Sequence, residues 1–395
     1  MGKYTISSKA DEKIESDLKK INEVLIEELN PISIILFGGL GKGEGSLHKG
    51  KLFNDIDMYV VTKNKLSEKR LEEVGIKASK AINVGGIEFI ENSEEPYDAK
   101  KFFHVDLRCI KYSDIPKLKK TTRAFEIKYS SQILYGKDIR PLIRVEKKDL
   151  SLSEGLRHLF NKSCFLLMTI DKRRLKGKFL KDEEKYLIYH CIKTFLGCAE
   201  ALLLSKKDDA PTYKGRNRLF KKHYENEFPE LAEKVDFATK MKLNLEFEKI
   251  KNPIKYWKDA RDFLDFTLKY IAKNNLKIEF KDRKDLIKKL YKKLPYIYFE
   301  PYIPLNRITF PSQYILNVLY CRRIKYQRTL LTWRDPGIRI FFPAYLLLFA
   351  IDEPSLKEEA EKYLKNLSKV KGDSWEELRR GVLDAYGAYY SQKLL

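Results

Sequence analysis

Two aspartates and a glycine-rich segment are the residues of this sequence best suited to chemistry. Asp55 and Asp57 flank one apolar residue at the start of the run Asp55–Val61. On a strand they share a face, about 6–7 Å apart, so both carboxylates can hold hard divalent cations through oxygen. The segment 38–45 is rich in glycine, which lets backbone N–H groups approach a phosphate closely. Together these residues predict metal-assisted transfer of a phosphoryl or nucleotidyl group.

A third carboxylate lies on a later apolar run. In Phe103–Ile110, alternation puts Phe103, Val105, Leu107 and Cys109 on one face and His104, Asp106 and Arg108 on the other. Asp106 can therefore join the pair if its strand lies beside theirs. Glu88 is the alternative third acid, and an ordinary polar-face residue is the alternative interpretation of Asp106.

These three parts resemble the DNA polymerase beta-type nucleotidyltransferase superfamily. Its pattern is a hydrophobic strand ending in Gly-[Gly/Ser], a spacer, an acidic-hydrophobic-acidic triplet, and later an acidic residue on a strand. The matching residues are Phe37-Gly38-Gly39, Asp55-Ile56-Asp57-Met58 and Val105-Asp106-Leu107. The resemblance covers about residues 9–145.

The resemblance implies a role for each matched residue. Asp55 and Asp57 would bind two magnesium ions, and Asp106 would complete one ion site and help to deprotonate the attacking hydroxyl. Gly38 and Gly39 would hold the triphosphate of an NTP substrate, with ATP or CTP as the first candidates. The product would be an acceptor carrying a nucleoside monophosphate, with pyrophosphate released.

The sequence departs from the family pattern in two places. Gly39 stands where many members have a serine whose hydroxyl touches phosphate. The spacer between Gly39 and Asp55 is 15 residues, longer than usual, and its insertion Ser46–Phe53 is interpreted as an acceptor-facing loop. Neither departure removes a metal ligand, so we expect an active enzyme. A degenerate nucleotide- or RNA-binding regulatory protein is the alternative.

Further candidate nucleotide-binding residues lie outside the matched motifs. Lys42 could supply a point charge in the glycine-rich segment, although a solvated loop lysine is the simpler interpretation. Lys193 is the isolated basic residue of the apolar run Tyr186–Leu204, and it predicts either a triphosphate contact or a pair with Glu200 at the edge of a bundle. Tyr213 and Arg216, expected in a loop, could stack on a base and bind phosphate.

The charge of the chain is uneven. Its 395 residues include 78 Lys+Arg and 56 Asp+Glu, for a formal net charge of +22. Residues 1–100 carry a net −3, whereas residues 101–350 carry +26. Basic residues interleave with aromatic ones over 284–334, which favours an RNA acceptor there. A helical packing domain with snorkelling lysines is the alternative.

Hydrophobic periodicity predicts the elements that position these residues. A helix carries Ile14, Leu18, Ile21, Leu25 and Leu29 and stops at Asn30-Pro31. Strands are predicted at Ile32–Phe37, Asp55–Val61, Gly86–Ile90 and Phe102–Ile110, with helices at Ser67–Ile82 and Ile115–Lys128.

From about residue 151 the pattern is helical. The fold class is therefore an α+β nucleotidyltransferase domain, with a mixed sheet flanked by helices, followed by predominantly α-helical domains. We predict a catalytic domain at 1–145, a helical domain closing the nucleotide pocket at 146–275, and a basic helical C-terminal domain at 276–395.

Composition excludes several other classes. Five scattered cysteines without a Cys/His cluster argue against a disulfide framework and against structural zinc. With no apolar signal region and no clean spanning segment, we expect a cytoplasmic protein without a membrane partner. Oligomeric state is left open by the sequence.

The sequence thus predicts a magnesium-dependent, template-independent nucleotidyltransferase that modifies an acceptor hydroxyl. RNA, including a tRNA end, is the first acceptor hypothesis. The alternatives are nucleotidylation of a small molecule or a protein side chain, as in antibiotic-modifying enzymes and antitoxins, or synthesis of an oligonucleotide.

Overall fold

The structure, a computed structural model, describes residues 2–53, 55–85, 103–293, 336–364 and 372–393. These residues form two compact units. Unit 1 comprises the described residues of 2–85, 103–151 and 206–251, and unit 2 comprises those of 152–205 and 252–393. The chain leaves unit 1 after residue 151 and returns to it at 206. This division differs from the predicted boundaries at 145 and 275, because 206–251 folds with the sheet.

The elements are named in chain order. Those before residue 152 are α1 (Ser8–Leu29), β1 (Ser33–Leu36), α2 (Gly38–Gly41), β2 (Leu47–His48), β3 (Lys51–Leu52), β4 (Ile56–Thr62), α3 (Glu68–Ala81), β5 (Val105–Lys111), α4 (Thr122–Ser130) and β6 (Gln132–Gly136). Those after it are α5 (Leu152–Met168), α6 (Glu183–Ser205), α7 (Tyr213–Tyr224), α8 (Pro229–Leu243), α9 (Pro253–Asn274), α10 (Arg283–Lys293), α11 (Pro336–Phe349), α12 (Ser355–Leu364) and α13 (Trp375–Lys393).

A small mixed sheet organises unit 1. The strand order is β5-β4-β1-β6, with β1 antiparallel to both of its neighbours and β4 parallel to β5. Apolar side chains of β1 and β4, including Ile34, Leu36, Met58 and Val60, are fully buried against α1. The predicted combination of a mixed sheet with a largely helical remainder is therefore present.

Helix α1 follows directly from its sequence. Ser7 caps its start by accepting the N–H of Ala10, and the apolar residues Ile14, Leu18, Ile21 and Leu25 form its buried stripe. Asn30 adopts a left-handed conformation, with φ of 43°, and ends the helix before Pro31.

Other elements of unit 1 differ from the prediction. The predicted helix Ile115–Lys128 is a 3₁₀ turn, Tyr112–Lys117, followed by α4, since Pro116 cannot continue a helical ladder. The hairpin β2–β3 and the edge strand β6 were not predicted. The predicted strand Gly86–Ile90 lies outside the described residues.

Unit 2 is helical in its described residues and is built around α6. Because α6 is apolar on nearly every face, it forms the core of this unit. Within the described part of the chain it is the one helix long and apolar enough to cross a membrane, but 94% of its most apolar window is buried inside the protein. It therefore fits a core helix.

A buried carboxylate fixes the start of α6. The Glu183 side chain, 4% exposed, accepts hydrogen bonds from Arg173 at 2.7 and 2.8 Å and from Arg174 at 2.8 Å. It also accepts the N–H of Leu180 at 2.7 Å. Burial alone would raise the pKa of Glu183, but these hydrogen bonds lower that pKa to about 2. Glu183 is thus a charged carboxylate whose charge is paired and whose oxygens accept hydrogen bonds.

Candidate active site

The parallel pair β4–β5 brings two of the predicted carboxylates together. Asp57 of β4 pairs in register with Asp106 of β5. Register partners on neighbouring strands lie about 5 Å apart and project from the same side of the sheet. Asp55 precedes β4 by one residue, so it belongs to the same face as Asp57. The strand of Asp106 is therefore adjacent to that of Asp57, which is the condition under which Asp106 can join the pair.

The glycine-rich segment meets this pair at Gly38. Gly38 has φ of +64°, a left-handed conformation that favours glycine, and a Cβ atom at this position would lie 2.1 Å from Oδ2 of Asp57. The N–H of the preceding residue, Phe37, donates to the carbonyl oxygen of Asp57 at 3.1 Å. The backbone at Gly38 and the carboxylate of Asp57 thus touch, and only glycine allows it.

The surroundings of Asp57 disfavour the charged form of its carboxylate. Burial and the charges of Asp106 and Asp55 raise the pKa of Asp57 to about 7, against the opposing effect of Arg108 and Arg123. Like charges held together in this way destabilise the protein unless a cation neutralises them. The chemistry of this donor set, oxygen only and anionic, fits a hard divalent cation such as Mg²⁺.

The geometry does not yet form a closed ligand set. Oδ2 of Asp106 accepts hydrogen bonds from Arg108 at 2.9 and 3.2 Å, and Asp55 lies 3.4 Å from Nδ1 of His104. Across the described residues, no three His, Cys, Asp or Glu side chains converge enough to hold a metal ion as they stand. The three carboxylates fit the ion in chemistry, and in this arrangement Oδ2 of Asp106 is engaged by Arg108.

The predicted nucleotide contacts Lys42, Tyr213 and Arg216 have other surroundings in the structure. Tyr213 begins α7, where Thr212 is the helix cap, so the predicted loop is a helix. The Lys42 side chain is 4% exposed, and its Nζ lies 2.7 Å from Glu126.

Arg216 is also engaged inside unit 1. Its guanidinium pairs with Glu126 at 2.8 Å and with Asp209 at 2.8 and 2.9 Å, and its side chain is 6% exposed. The side chains of Lys42 and Arg216 are thus buried and paired with acids inside unit 1, and their predicted contacts with a nucleotide stay predictions. Sequence spacing gave no sign of these ion pairs, since Glu126 lies more than 80 residues from both Lys42 and Arg216.

Lys193 belongs to unit 2, on α6. Its Nζ lies 4.4 Å from the centre of the Tyr189 ring. Glu200, the residue expected to pair with it at a bundle edge, instead lies 3.2 Å from Nδ1 of His158. The predicted contact of Lys193 with a triphosphate stays a prediction.

The insertion Ser46–Phe53 is a packed hairpin rather than an open loop. Nδ1 of His48 lies 2.7 Å from the carbonyl oxygen of Leu245, and the Phe53 ring centre lies 5.5 Å from that of Phe247. The Leu245 N–H donates to Leu47 at 2.6 Å. The hairpin therefore has a partner in the segment that follows α8, which the acceptor-loop interpretation did not include.

The sequence analysis missed Glu44. Its carboxylate, in a residue 2% exposed, accepts the N–H groups of Tyr213 and Lys214 at 2.6 and 2.9 Å. A signal was present, because Glu44 is the one acidic residue of the glycine-rich segment 38–45. An acidic side chain in such a segment would repel phosphate unless other groups of the protein neutralise its charge or donate hydrogen bonds to it, as the N–H groups of Tyr213 and Lys214 do here.

Of the predicted RNA-contacting stretch 284–334, only 284–293 is described, within α10. There Leu286, Ile287 and Leu290 are buried, and Lys289 and Lys293 donate to backbone carbonyls. The remainder, 294–334, lies outside the described residues, as does the alternative acid Glu88.

Comparisons with known proteins add little. No family model matches the chain, and no curated protein matches it. Among solved structures, the chain is similar to the spectinomycin adenyltransferase AAD(9) from Enterococcus faecialis, solved with ATP and spectinomycin. The identity is 17%, the match covers 64% of this chain and 99% of that one, and the TM-score is 0.35. A likeness of this size supports no conclusion, so function must be argued from the site itself.

Proposed function

We propose that this protein is a magnesium-dependent nucleotidyltransferase that moves a nucleoside monophosphate from an NTP to an acceptor hydroxyl. The observation that carries the proposal is the contact of Gly38 with Asp57, opposite Asp106 on the parallel neighbouring strand. A glycine backbone that phosphate can approach closely and paired carboxylates for a divalent cation are two requirements of this transfer, and here Gly38 adjoins the carboxylates.

Each residue of the site has a defined task in this proposal. Gly38 and Gly39 let the backbone come close to the triphosphate. Asp55, Asp57 and Asp106 would hold Mg²⁺, which when bound neutralises the phosphates and the charge developing on the leaving group. Lys193, on α6, is a further residue that we propose as a contact of the triphosphate.

The transfer balances as a displacement at phosphorus. The acceptor oxygen forms a bond to the α-phosphorus while the bond from that phosphorus to the bridging oxygen breaks, and pyrophosphate leaves. Asp106 accepts the proton of the attacking hydroxyl as the general base of this step.

RNA is the acceptor we propose to test first. The support is the net charge of +26 over residues 101–350, which would attract a polyanion. A small hydroxyl-bearing antibiotic, a protein side chain and the NTP itself are the other acceptors to include.

The test is transfer of label from each of the four α-labelled NTPs, with Mg²⁺ and each acceptor in turn. We expect transfer by the wild type, its loss in Asp55→Asn/Asp57→Asn, and no change in Asp114→Asn. Asp114 is an exposed aspartate of unit 1, so it is a matched control for the same chemical change.

The proposal fails if no acceptor is labelled, or if the double variant labels as the wild type does. Labelling of RNA that falls steeply with salt concentration would identify a nucleic-acid acceptor. Labelling of a small molecule alone, insensitive to salt, would replace RNA by that class of acceptor.

A further inference from the structure

Three alternate residues, two at the end of the glycine-rich segment and one just beyond it, are each held by a different helix of unit 1. Nζ of Lys42 pairs with Glu126 of α4 at 2.7 Å. Glu44 accepts two N–H groups at the start of α7. Ser46 accepts a hydrogen bond at 2.7 Å from Lys242 of α8, a lysine that is 1% exposed. These three attachments immediately follow the part of the segment that touches Asp57.

Glu44 makes the central attachment. Its two carboxylate oxygens accept from Tyr213 and Lys214, the first two residues of α7, whose N–H groups have no partner within the helix. A carboxylate at this end also interacts favourably with the helix dipole. Glu44 thus serves as a helix cap from 169 residues away in sequence.

The side chain of Tyr213 links the other two attachments. Nζ of Lys42 lies 4.7 Å from the centre of its ring, and Nζ of Lys242 lies 5.7 Å from the same centre. Glu126, the partner of Lys42, also pairs with Arg216 one turn further along α7. The first turn of α7 therefore contacts the segment in two ways, through the aromatic ring of Tyr213 and through the ion pairs of Glu126, and these contacts are largely buried.

The hydrogen bonds of the segment connect Glu44 to the site. The N–H of Glu44 donates to the carbonyl of Gly39 at 2.8 Å, and that of Lys42 donates to Gly38 at 3.2 Å. A Cβ atom at Gly39 would lie 3.3 Å from the Glu44 carbonyl oxygen, so the two backbones are in close contact. We therefore expect a shift at Glu44 to move Gly39 and, with it, Gly38.

We propose that Glu44 is a positioning residue: its attachment to α7 holds Gly38 and Gly39 in the conformation that binds the nucleotide. On this proposal, residues 206–251 contribute to nucleotide binding. This inference rests on the proposed function. It also explains why Lys42, Tyr213 and Arg216 have the residue types of phosphate and base contacts but internal partners: they hold the segment that binds the phosphate.

The test compares Glu44→Gln with Glu183→Gln. Both acids are buried and accept backbone N–H groups, but Glu183 lies in unit 2. Glutamine has nearly the same volume as glutamate but carries no charge. Its side-chain NH₂ group would replace one carboxylate oxygen, so one backbone N–H would lose its acceptor. We expect Glu44→Gln to raise KM for the NTP by about tenfold with kcat changed by less than about twofold. Glu183→Gln should leave both constants unchanged.

A second measurement does not need activity. In Glu44→Gln, the backbone amides of 43–45 should exchange hydrogen at least about tenfold faster than in the wild type, and those of β4 should not. Glu44→Asp, which restores the charge, should recover part of the KM and part of the protection. If Glu44→Gln does not fold, the same two measurements can be made on Glu44→Asp.

Each outcome decides the inference. Unchanged exchange at 43–45 overturns it, whatever the activity. Faster exchange with an unchanged KM shows a structural cap alone and also overturns it. If the wild type transfers no nucleotide, the proposed function fails separately. The inference about nucleotide then falls with it, and the exchange data still decide whether Glu44 holds the segment.

Discussion

Two acidic side chains, one in each unit, have opposite electrostatic surroundings. Glu183 of unit 2 is enclosed by Arg173 and Arg174, and the resulting hydrogen bonds lower its pKa to about 2 despite burial. Asp57 of unit 1 faces Asp106 across a parallel strand pair, and its pKa is raised to about 7 by burial and by the neighbouring carboxylates.

This difference in surroundings makes Glu183 a stabilising carboxylate and Asp57 a destabilising one. Glu183 has the cations it needs within its own unit, so it contributes to the free energy of folding. Asp57 lowers that free energy, since its charge is opposed by like charges. A ligand that supplies positive charge would relieve this repulsion, which supports the site proposed in unit 1.

The strongest test of this contrast is Asp57→Asn. We expect nucleotide transfer to fall by on the order of 10²-fold or more, since bound metal contributes several kcal/mol to the transition state. The free energy of unfolding should not fall, because the substitution removes repulsion. Transfer assays and urea unfolding measure the two effects. An Asp57→Asn protein that is active, or markedly less stable, would contradict the assignment.

Gly38→Ala tests the contact between the glycine-rich segment and Asp57. Gly177 of unit 2 is the matched control, as it also has positive φ, +74°, but nothing within 4 Å of its Cβ position. We expect Gly177→Ala to cost about 1 kcal/mol from conformation alone, and Gly38→Ala to cost about 2–3 kcal/mol because the clash with Asp57 is added. Transfer should be lost only in Gly38→Ala. Equal losses of unfolding free energy would show that the clash is relieved cheaply.

Glu183→Gln should have the opposite effects to Asp57→Asn: lower stability and unchanged nucleotide transfer. Losing a charged acceptor that two arginines share should lower the free energy of unfolding by about 2 kcal/mol. Nucleotide transfer at a temperature where the variant is folded should be unchanged. Guanidinium or thermal unfolding of both variants side by side measures this. A Glu183→Gln protein as stable as the wild type would show that the arginines add nothing net.

The smallest expected effect is a pH dependence. The pKa of Glu183 is lower in the folded protein than its ordinary value of 4.5. Its contribution to stability is therefore fully present above about pH 4.5 and is lost as pH falls towards about 2. The difference in unfolding free energy between wild type and Glu183→Gln should shrink over this window. A difference that stays constant from pH 6 to pH 3 would rule out this linkage.

Local pattern predicted part of the fold well. The buried stripe of α1 and its end at Asn30 follow from apolar spacing and from the residues that stop helices. The strand that carries Asp57 was placed at 55–61 and is Ile56–Thr62. The edge strand β6 escaped prediction because its five residues are half-buried or exposed, and it is recognisable only through its pairing with β1.

The candidate site combines local motifs with long-range contacts. Gly38, Asp57 and Asp106 adjoin because β4 pairs with β5 and because Gly38 contacts Asp57, while their role in binding stays a prediction. Glu126 lies within ion-pair distance of both Lys42 and Arg216, which residue type and spacing could not show. A charged residue's role depends on which partner tertiary folding places beside it, and that partner can come from any part of the chain.

The sequence by itself determined which residues can do chemistry and which face of a strand or helix each occupies, because both depend on residue type and on periods of two and 3.6. Only the tertiary structure decided that β4 and β5 are parallel neighbours, and that 206–251 returns to unit 1 to hold Glu44. Those outcomes depend on contacts between residues distant in sequence, whose free energies are summed over the whole fold and leave no local pattern.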